Sequence, residues 1–325
     1  MHILAPTLDD LLYDTFTYVL ENGQQIESTK GDNQEVRGCL LTLKNPRSRI
    51  SRSETKGTIF SCLGELFWYL SGRDDAEMIS NYIRKYDSYK EQDGTIHGAY
   101  GPRFYGMHGK FDQIRSVIRL LKRKPKTRQA VIQLFDASDI HKQYNDTPCT
   151  ISLQFMIRDE QLHMFTNMRS NDAYRGLPHD IFVFSMIQEI IAKVLGYELG
   201  EYNHFVSSLH VYDCDLPNIR AFLSEGFMPS KPIMPPMPES NFGQTKATLL
   251  ELEEAVRTNP FSNIEDSDLP SYWLDMIRLL RYYHLSKLED PRTTLEMEIC
   301  LSHIKNRDYE AFIERRRARL EEECS

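Results

Sequence analysis

The sequence predicts an α+β fold, in which strands and long apolar helices form neighbouring layers. Residues 150–157 and 161–166 alternate polar and apolar side chains on either side of Arg158-Asp159-Glu160, as the two strands of a hairpin do. Residues 61–71 and 181–195 are strongly apolar and are followed by glycine, which is typical of buried helices. Strands beside helices of this kind indicate an α+β layer architecture.

The other elements follow from the same two hydrophobic periods, about 3.6 residues for a helix and two for a strand. The strand over 129–135 follows Lys124-Pro125-Lys126 and is apolar enough to be buried. In chain order we expect a helix over 1–22, a strand over 36–43, a helix over 112–122, strands over 129–135 and 205–212, and helices over 245–258, 269–288 and 309–323.

A change in composition near residue 226 predicts a boundary within the chain. Residues 228–238, MPSKPIMPPMP, contain five prolines in eleven positions and are predicted to form a semi-rigid linker. The chain beyond them is charged and helical. We therefore predict a domain over 1–225 and a helical C-terminal extension over 226–325.

The composition excludes several classes of protein. A net charge of −8 argues against a nucleic-acid coat protein, which needs clustered positive charge, so no nucleic acid is expected. The six cysteines show no zinc-ligand spacing, so no metal is expected. The N-terminus is acidic and no stretch approaches 18 apolar residues, which predicts a cytoplasmic protein with reduced thiols and no membrane segment.

Cys149 is the candidate nucleophile. It follows Asp146-Thr147-Pro148, and the proline restricts the backbone that would hold the thiol. A cysteine at the start of a strand is more often a core residue, so this position alone is a weak signal.

A second candidate is the polar segment 167–180, which lies between an apolar strand and an apolar helix. Arg169 has the forked geometry that binds phosphate, Ser170 can donate a further hydrogen bond, and Gly176 allows close backbone approach. The alternative is a solvated loop, in which Asp180 is only the N-cap of the following helix.

His210 and Tyr212 form the third candidate. They share one face of the predicted strand over 205–212, because the side-chain period of a strand is two. Two adjacent polar side chains suit a sugar hydroxyl, although buried polar residues with structural partners are the commoner finding.

Together these segments resemble thymidylate synthase and its relatives, the nucleotide hydroxymethylases. The resemblance covers roughly residues 10–220, and Arg169-Ser170-Asn171-Asp172 with Gly176-Leu177-Pro178 is its most specific part. It implies the family's mixed sheet layered with helices, followed here by the helical extension. The blocks that occur in the family's order are residues 65–70, 100–103, 127–129, 148–149, 169–178 and 210–212.

The resemblance implies roles for individual residues. Cys149 corresponds to the nucleophile that adds to C6 of a pyrimidine nucleoside monophosphate, and Glu65 to the carboxylate that organises water and proton transfer. The implied co-substrate is 5,10-methylenetetrahydrofolate. The implied substrate-binding residues are Arg37, Arg128, Arg169, Ser170, Asp180, His210, Tyr212 and Tyr100, and the implied folate-binding residues are Tyr86, Tyr89, Asp172 and Gly176.

The family also implies a homodimer, in which each subunit lends arginine to its partner's phosphate site. Arg128 corresponds to one arginine of that pair. Gln129 stands where a second arginine is usual, which departs from the pattern.

Asp180 is the departure that bears on the substrate. Thymidylate synthases carry asparagine at this position, where the amide matches N3–H and O4 of uracil. A carboxyl group can accept from the amino group of cytosine and donate toward N3 when it holds a proton. Asp180 therefore resembles the residue of cytidylate hydroxymethylases, with dCMP favoured and CMP left open. Thr150, where synthases commonly have histidine, is a further change near the base.

The C-terminal region suggests the product. In synthases a short apolar tail closes over the folate and excludes water during hydride transfer. The prolines and the charged helical sequence after residue 226 show no counterpart of that tail. We therefore expect water to add to the transferred carbon, which gives a 5-hydroxymethyl nucleotide. The alternatives are a thymidylate synthase, and a catalytically idle nucleotide- or RNA-binding relative.

Overall fold

The structure is a computed structural model that describes residues 1–28, 31–51, 53, 55–56, 58–226 and 233–323. The first part of the predicted linker, 228–232, and the final residues Cys324 and Ser325 lie outside the described residues. The strands are β1 (His2–Ala5), β2 (Gln24–Ile26), β3 (Asn33–Leu43), β4 (Val131–Gln133), β5 (Thr150–Arg158), β6 (Gln161–Asp172) and β7 (Glu198–Tyr212). The helices are α1 (Leu8–Asn22), α2 (Ile59–Ser71), α3 (Ala76–Ser80), α4 (Tyr100–Gly106), α5 (Gln113–Arg123), α6 (Leu177–Leu195), α7 (Leu216–Ser224), α8 (Phe242–Thr258), α9 (Ser271–Leu285), α10 (Thr293–His303) and α11 (Glu310–Glu323).

The strands form one mixed sheet of seven strands in the order β1-β3-β7-β6-β5-β4, with β2 paired to β3. The pairs β1–β3 and β6–β7 are parallel and the other pairs are antiparallel. The predicted hairpin is β5 and β6, with its turn at Asp159 and Glu160, which both have positive φ. The α+β prediction is therefore confirmed.

Helix α6 explains why β6 and β7 are parallel neighbours. It connects the end of β6 to the start of β7, and a parallel pair needs such a crossover. Pro178 occupies its first turn, where proline is tolerated, and Gly196 ends it in the left-handed conformation. Its side chains are buried along almost the whole length, as the apolar sequence predicted.

Helices α8 and α9 pack on the core of the molecule. Both contact α2, and the hydroxyl of Tyr82 donates to Glu253 in α8 at 2.6 Å and contacts His284 in α9 at 3.0 Å. Within the predicted linker, Met234 and Met237 are buried, so this segment is docked rather than a free spacer. The division at residue 226 stays a prediction.

Several boundaries differ from the prediction. Residues 2–5 form a strand beside β3, so the expected helix over 1–22 begins only at Leu8, where Thr7 caps it. The strand predicted over 205–212 begins at Glu198 and is longer than expected. Helices α3, α4, α7 and α10 were not predicted, because they are short or only weakly amphipathic.

Candidate active site

Candidate residues of β6, β7 and α6 meet near Cys149, where β6 and β7 end side by side, whereas Arg128 contacts Gln154 in the middle of β5. Because the two strands are parallel, their carboxyl ends lie at the same edge, and Asp172 pairs with His210 in register. The start of β5 and the first turn of α6 adjoin this edge through Arg169 and Asp180. The mixed topology thus brings together Cys149, Arg169 and His210, which are 20 to 61 residues apart along the chain.

Cys149 is held from two sides immediately before β5. Its carbonyl oxygen accepts from the backbone N–H of Arg169 at 2.9 Å, and the hydroxyl of Tyr100 accepts from the N–H of Thr150 at 3.0 Å. The thiol is half-buried, and its Sγ lies 3.7 Å from Nη2 of Arg169. A guanidinium this close favours the thiolate, which is the nucleophilic form.

Arg169 is itself oriented by backbone carbonyls. Its Nε and Nη2 each donate at 2.9 Å, to Pro148 and to Thr147, while the side chain stays largely exposed. The cation therefore faces the same space as Sγ of Cys149, where a phosphate can reach it.

Ser170 and Arg37 lie in line across the sheet. Ser170 pairs in register with Ser208 in β7, and Ser208 pairs with Arg37 in β3. Arg37 is exposed, and its Nη2 lies 3.4 Å from Oε1 of Gln24. Arg128 is exposed on the segment before the edge strand β4, and Gln154 donates to its carbonyl at 2.8 Å.

Glu65 is buried in α2 and is held by two phenols. The hydroxyls of Tyr69 and Tyr86 both donate to Oε1, at 3.0 and 2.7 Å. Burial raises the pKa of Glu65, and the two hydrogen bonds oppose the rise. A buried carboxyl whose pKa is raised is suited to proton transfer.

Tyr86 and Tyr89 belong to a short 3₁₀ helix, Arg84–Tyr89, and form a half-buried aromatic surface beside the buried Trp68. The rings of Tyr86 and Tyr89 lie 5.9 Å apart and nearly perpendicular, and Trp68 packs edge-on to Tyr86 at 5.1 Å. Tyr86 therefore combines a ring in this surface with a hydroxyl on Glu65.

Asp172 ends β6 and turns the chain toward α6. Its Oδ1 accepts the backbone N–H groups of Tyr174 and Arg175 at 2.9 Å each. Burial raises its pKa, against these hydrogen bonds and the nearby His210. At Gly176 an added Cβ would lie 2.9 Å from Nδ2 of Asn171, so the chain needs glycine for this close approach.

Asp180 lies in the first turn of α6, four residues beyond the N-cap Gly176. The reading of Asp180 as an N-cap is therefore wrong, because proline in the first turn lets the helix begin at Leu177. Nδ2 of Asn171 donates to Oδ2 of Asp180 at 2.7 Å. Burial raises the pKa of Asp180 well above its usual range, and the carboxyl groups of Glu65 and Asp172 add to the rise.

His210 and Tyr212 share one face of β7, as their spacing predicted. Their rings lie 5.1 Å apart and nearly perpendicular, and both side chains are half-buried. The guanidinium of Arg175 lies 5.9 Å from the Tyr212 ring.

Sequence reasoning gave no role to Asn171, His204 or Tyr202. Tyr202 and His204 are two residues apart on β7, the same spacing as His210 and Tyr212, so the signal was present. Both lie in the interior beneath the site, where the sequence resembles any buried strand.

Within the described ranges of the chain, no helix is long and apolar enough to cross a membrane. No group of three histidine, cysteine or acidic side chains there has the geometry to hold a metal ion.

Sequence similarity to known proteins covers most of the chain. The sequence model of the family described as Thymidylate synthase matches residues 12–284. The chain is 26% identical over 287 residues to the thymidylate synthase of Bacillus phage phi3T, covering 83% of this chain and 93% of that protein.

Thymidylate synthase 1 of Bacillus subtilis strain 168 gives the same identity and coverage. The thymidylate synthase of Bacillus mojavensis is 31% identical over 219 residues, which are 62% of this chain and 78% of that protein. A match that spans most of the chain, on a fold with the predicted mixed sheet, shows that this protein belongs to the thymidylate synthase family.

Proposed function

We propose that this enzyme adds a hydroxymethyl group to C5 of a cytidine 5′-monophosphate, with dCMP favoured and CMP left open. The family transfers one-carbon units and uses 5,10-methylenetetrahydrofolate as co-substrate. The base and the product are the parts that belong to the proposal.

The state of Asp180 is the observation that carries the choice of base. Burial and the neighbouring carboxyl groups of Glu65 and Asp172 raise its pKa, which favours the protonated carboxyl group. Such a group can accept from the amino group of cytosine and give a proton to N3. Uracil carries hydrogen on N3, so it cannot take that proton, and an amide suits it better.

The neighbouring residues support the first step. Cys149 attacks C6 as thiolate beside Arg169, and the bond from Sγ to C6 makes C5 nucleophilic. Proton transfer from Asp180 to N3 neutralises the charge that this addition places on the base. Arg169, Ser170 and Arg37 are proposed to hold the phosphate, and His210 with Tyr212 the sugar.

The residues around Glu65 fit the folate. The half-buried rings of Tyr86 and Tyr89 offer a stacking face, and Asp172 offers a carboxyl group to the pterin. Bound folate would supply the one-carbon unit. Glu65 is proposed to accept the proton that leaves C5 and to orient water. The water would add to the exocyclic carbon once tetrahydrofolate has left, after which Cys149 departs from C6.

A second candidate is thymidylate synthesis from dUMP, with dihydrofolate as the other product. The comparisons favour it over hydroxymethylation, because the relatives described above bear the name thymidylate synthase. The residue at position 180 favours cytosine. The two candidates share the nucleophile and differ in the base and in the fate of the exocyclic carbon.

One incubation separates the candidates. The pure protein is given methylenetetrahydrofolate with dCMP, CMP, dUMP or UMP, and the nucleotide products are identified by mass. We expect a gain of CH₂O on a cytidylate, with tetrahydrofolate released. A gain of CH₂ on dUMP, with dihydrofolate formed, would replace this proposal by thymidylate synthesis.

The variant Asp180→Asn tests the observation itself. It keeps the size of the side chain and removes the proton that N3 would receive. We expect the ratio of kcat/KM for dCMP over dUMP to fall by about tenfold or more, because a mismatched buried polar group costs about 1–3 kcal/mol. An unchanged ratio would remove Asp180 from base selection.

We also propose a homodimer in which Arg128 reaches the phosphate site of the partner subunit. The sheet supports this, because the side chains on one face of β5 and β6 are buried, whereas those on the other face stay partly exposed. Three apolar side chains of this sheet are exposed: Val131 in β4 at 44%, Ile151 in β5 at 39% and Phe205 in β7 at 40%. Exposed apolar side chains on one sheet are typical of an interface.

A further inference from the structure

A relay of buried, hydrogen-bonded side chains, formed by Tyr202, His204 and Asn171, ends at Asp180. The hydroxyl of Tyr202 lies 2.8 Å from Nδ1 of His204, and Nε2 of His204 lies 3.1 Å from Oδ1 of Asn171. Nδ2 of Asn171 lies 2.7 Å from Oδ2 of Asp180. Tyr202 and His204 have no exposed surface and Asn171 is 5% exposed, so the three side chains of the relay are shielded from water.

The direction of each hydrogen bond follows from its neighbour. Asn171 uses its NH₂ group on Asp180, so its carbonyl oxygen faces His204 and must accept from Nε2. Burial lowers the pKa of His204 to about 3, so the ring is neutral and has a single N–H. With that hydrogen on Nε2, Nδ1 accepts from the hydroxyl of Tyr202. All donations therefore run toward Asp180.

This direction matters for the two oxygens of Asp180. Oδ2 accepts from Asn171, which favours its role as the acceptor oxygen and leaves the proton on Oδ1. When that proton leaves, Oδ2 carries part of the new negative charge and keeps its donor. Hydrogen bonds to a charged acceptor are roughly twice as strong as neutral ones, so the relay favours the ionised product of the transfer.

We propose that Tyr202, His204 and Asn171 are positioning residues that prepare Asp180 to pass its proton from Oδ1 to N3 of a cytosine base as Cys149 adds to C6. The proposal rests on the proposed function, since only cytosine presents an N3 that can take a proton. In this step the Sγ–C6 bond forms, the C5=C6 double bond of the base is lost, and the displaced electron pair reaches N3 through the ring. N3 takes the proton from Oδ1, and Asp180 becomes a carboxylate. The proton returns when Cys149 leaves.

The variant Tyr202→Phe removes the first donor and keeps the ring. Without the hydroxyl, Nδ1 of His204 loses its donor, and the tautomer that serves Asn171 is no longer imposed. We expect kcat for tritium release from C5 of labelled dCMP to fall about threefold to tenfold, with KM changed less than about twofold. Asn171→Leu removes the donor to Oδ2 and is expected to act in the same direction with a larger fall.

Tyr272→Phe is the matched control, because it removes a buried hydroxyl on α9 that donates to the sulfur of Met186 at 3.7 Å and has no part in the relay. We expect no change in either kinetic constant. Thermal unfolding of all three variants identifies any that are poorly folded. An equal loss in kcat for Tyr202→Phe and Tyr272→Phe would overturn the relay.

A double-mutant cycle separates the relay from mere packing. In the Asp180→Asn background no proton is passed, so Tyr202→Phe should alter tritium release by less than about twofold on whichever nucleotide that variant accepts. An equal loss in both backgrounds would overturn the relay. The base that the unmodified protein prefers, read in the same assay, reports on the proposed function: preference for dUMP overturns that function, whereas preference for dCMP without coupling overturns the relay alone.

Discussion

At the scale of single residues, the protonation state of each catalytic side chain depends on the charged and polar groups that contact it. Sγ of Cys149 lies beside the guanidinium of Arg169, and Oε1 of Glu65 accepts hydrogen bonds from the hydroxyls of two tyrosines. Each contact changes how readily a proton is held or lost. Two predictions belong to this scale.

Cys149→Ser is expected to reduce tritium release from C5 to background, because a serine hydroxyl is far less acidic than a thiol and does not form the bond to C6. Nucleotide binding, measured by equilibrium dialysis, should stay within about twofold of the unmodified protein. Cys214→Ser is the control, since Cys214 is exposed and its Sγ contacts Arg175. Exchange that survives in Cys149→Ser would contradict the role of this thiol.

Asp180→Asn is expected to stabilise the folded protein above about pH 4. The pKa of Asp180 is raised in the folded state, so the folded chain keeps a proton that the unfolded chain has lost. Stability of the unmodified protein therefore falls as pH rises through this window, by up to about 1.4 kcal/mol per pH unit, while the amide contributes no such change.

Urea unfolding between pH 4 and pH 8 measures this difference. The advantage of Asp180→Asn should grow with pH and shrink toward pH 4. Asp32→Asn serves as control, because Asp32 is exposed. A difference that is constant with pH would show that Asp180 titrates alike in both states.

At the scale of elements, α2 joins the active site to the C-terminal helices. Two adjacent residues of α2 make the connection. Glu65 accepts hydrogen bonds from Tyr69 and Tyr86 in the active site. The backbone of Gly64 lies against the side chain of Tyr82, which contacts α8 and α9. Because glycine has no side chain, Gly64 allows α2 to pack closely against Tyr82 and so toward these helices.

Gly64→Ala is expected to lower the free energy of unfolding by about 1–3 kcal/mol through overpacking. The added Cβ would lie 2.1 Å from Cγ of Tyr82 and 2.5 Å from its Cβ, and these inner atoms cannot move without the ring. Gly106→Ala is the control, since nothing lies within 4 Å of its added Cβ. Urea midpoints that match in the two variants would contradict close packing of α2.

At the scale of the whole molecule, the partly exposed face of the sheet and the exposed Arg128 support an assembly of two chains. If each site takes Arg128 from its partner, neither Cys149→Ser nor Arg128→Ala should be active alone. A heterodimer of the two has one site with both residues intact.

Mixing the two variants after mild unfolding and refolding is expected to restore about one quarter of the unmodified activity, because random pairing gives half heterodimers with one good site in two. Tritium release measures the recovery, and size-exclusion chromatography measures the assembly. Activity that stays at the level of the separate variants would contradict the sharing of Arg128.

Much of the molecule could be predicted because its signals are local. The alternation in 150–157 and 161–166 predicted β5 and β6, and the apolar run 181–195 predicted most of α6, since these patterns reflect burial on one face or on all sides. The order of motifs predicted the family. Short helices such as α3 and α4 were missed because tertiary contacts, rather than their own sequence period, stabilise them.

By itself the sequence determined the family, the mixed sheet, the candidate nucleophile Cys149 and the unusual acid at position 180. Only the tertiary structure decided that Asp180 is not a helix cap and that Asn171, His204 and Tyr202 lie behind it. The physical reason is the parallel pairing of β6 and β7 across α6. That register sets the side chains of two strands beside one helix turn, and no spacing along a single strand reveals it.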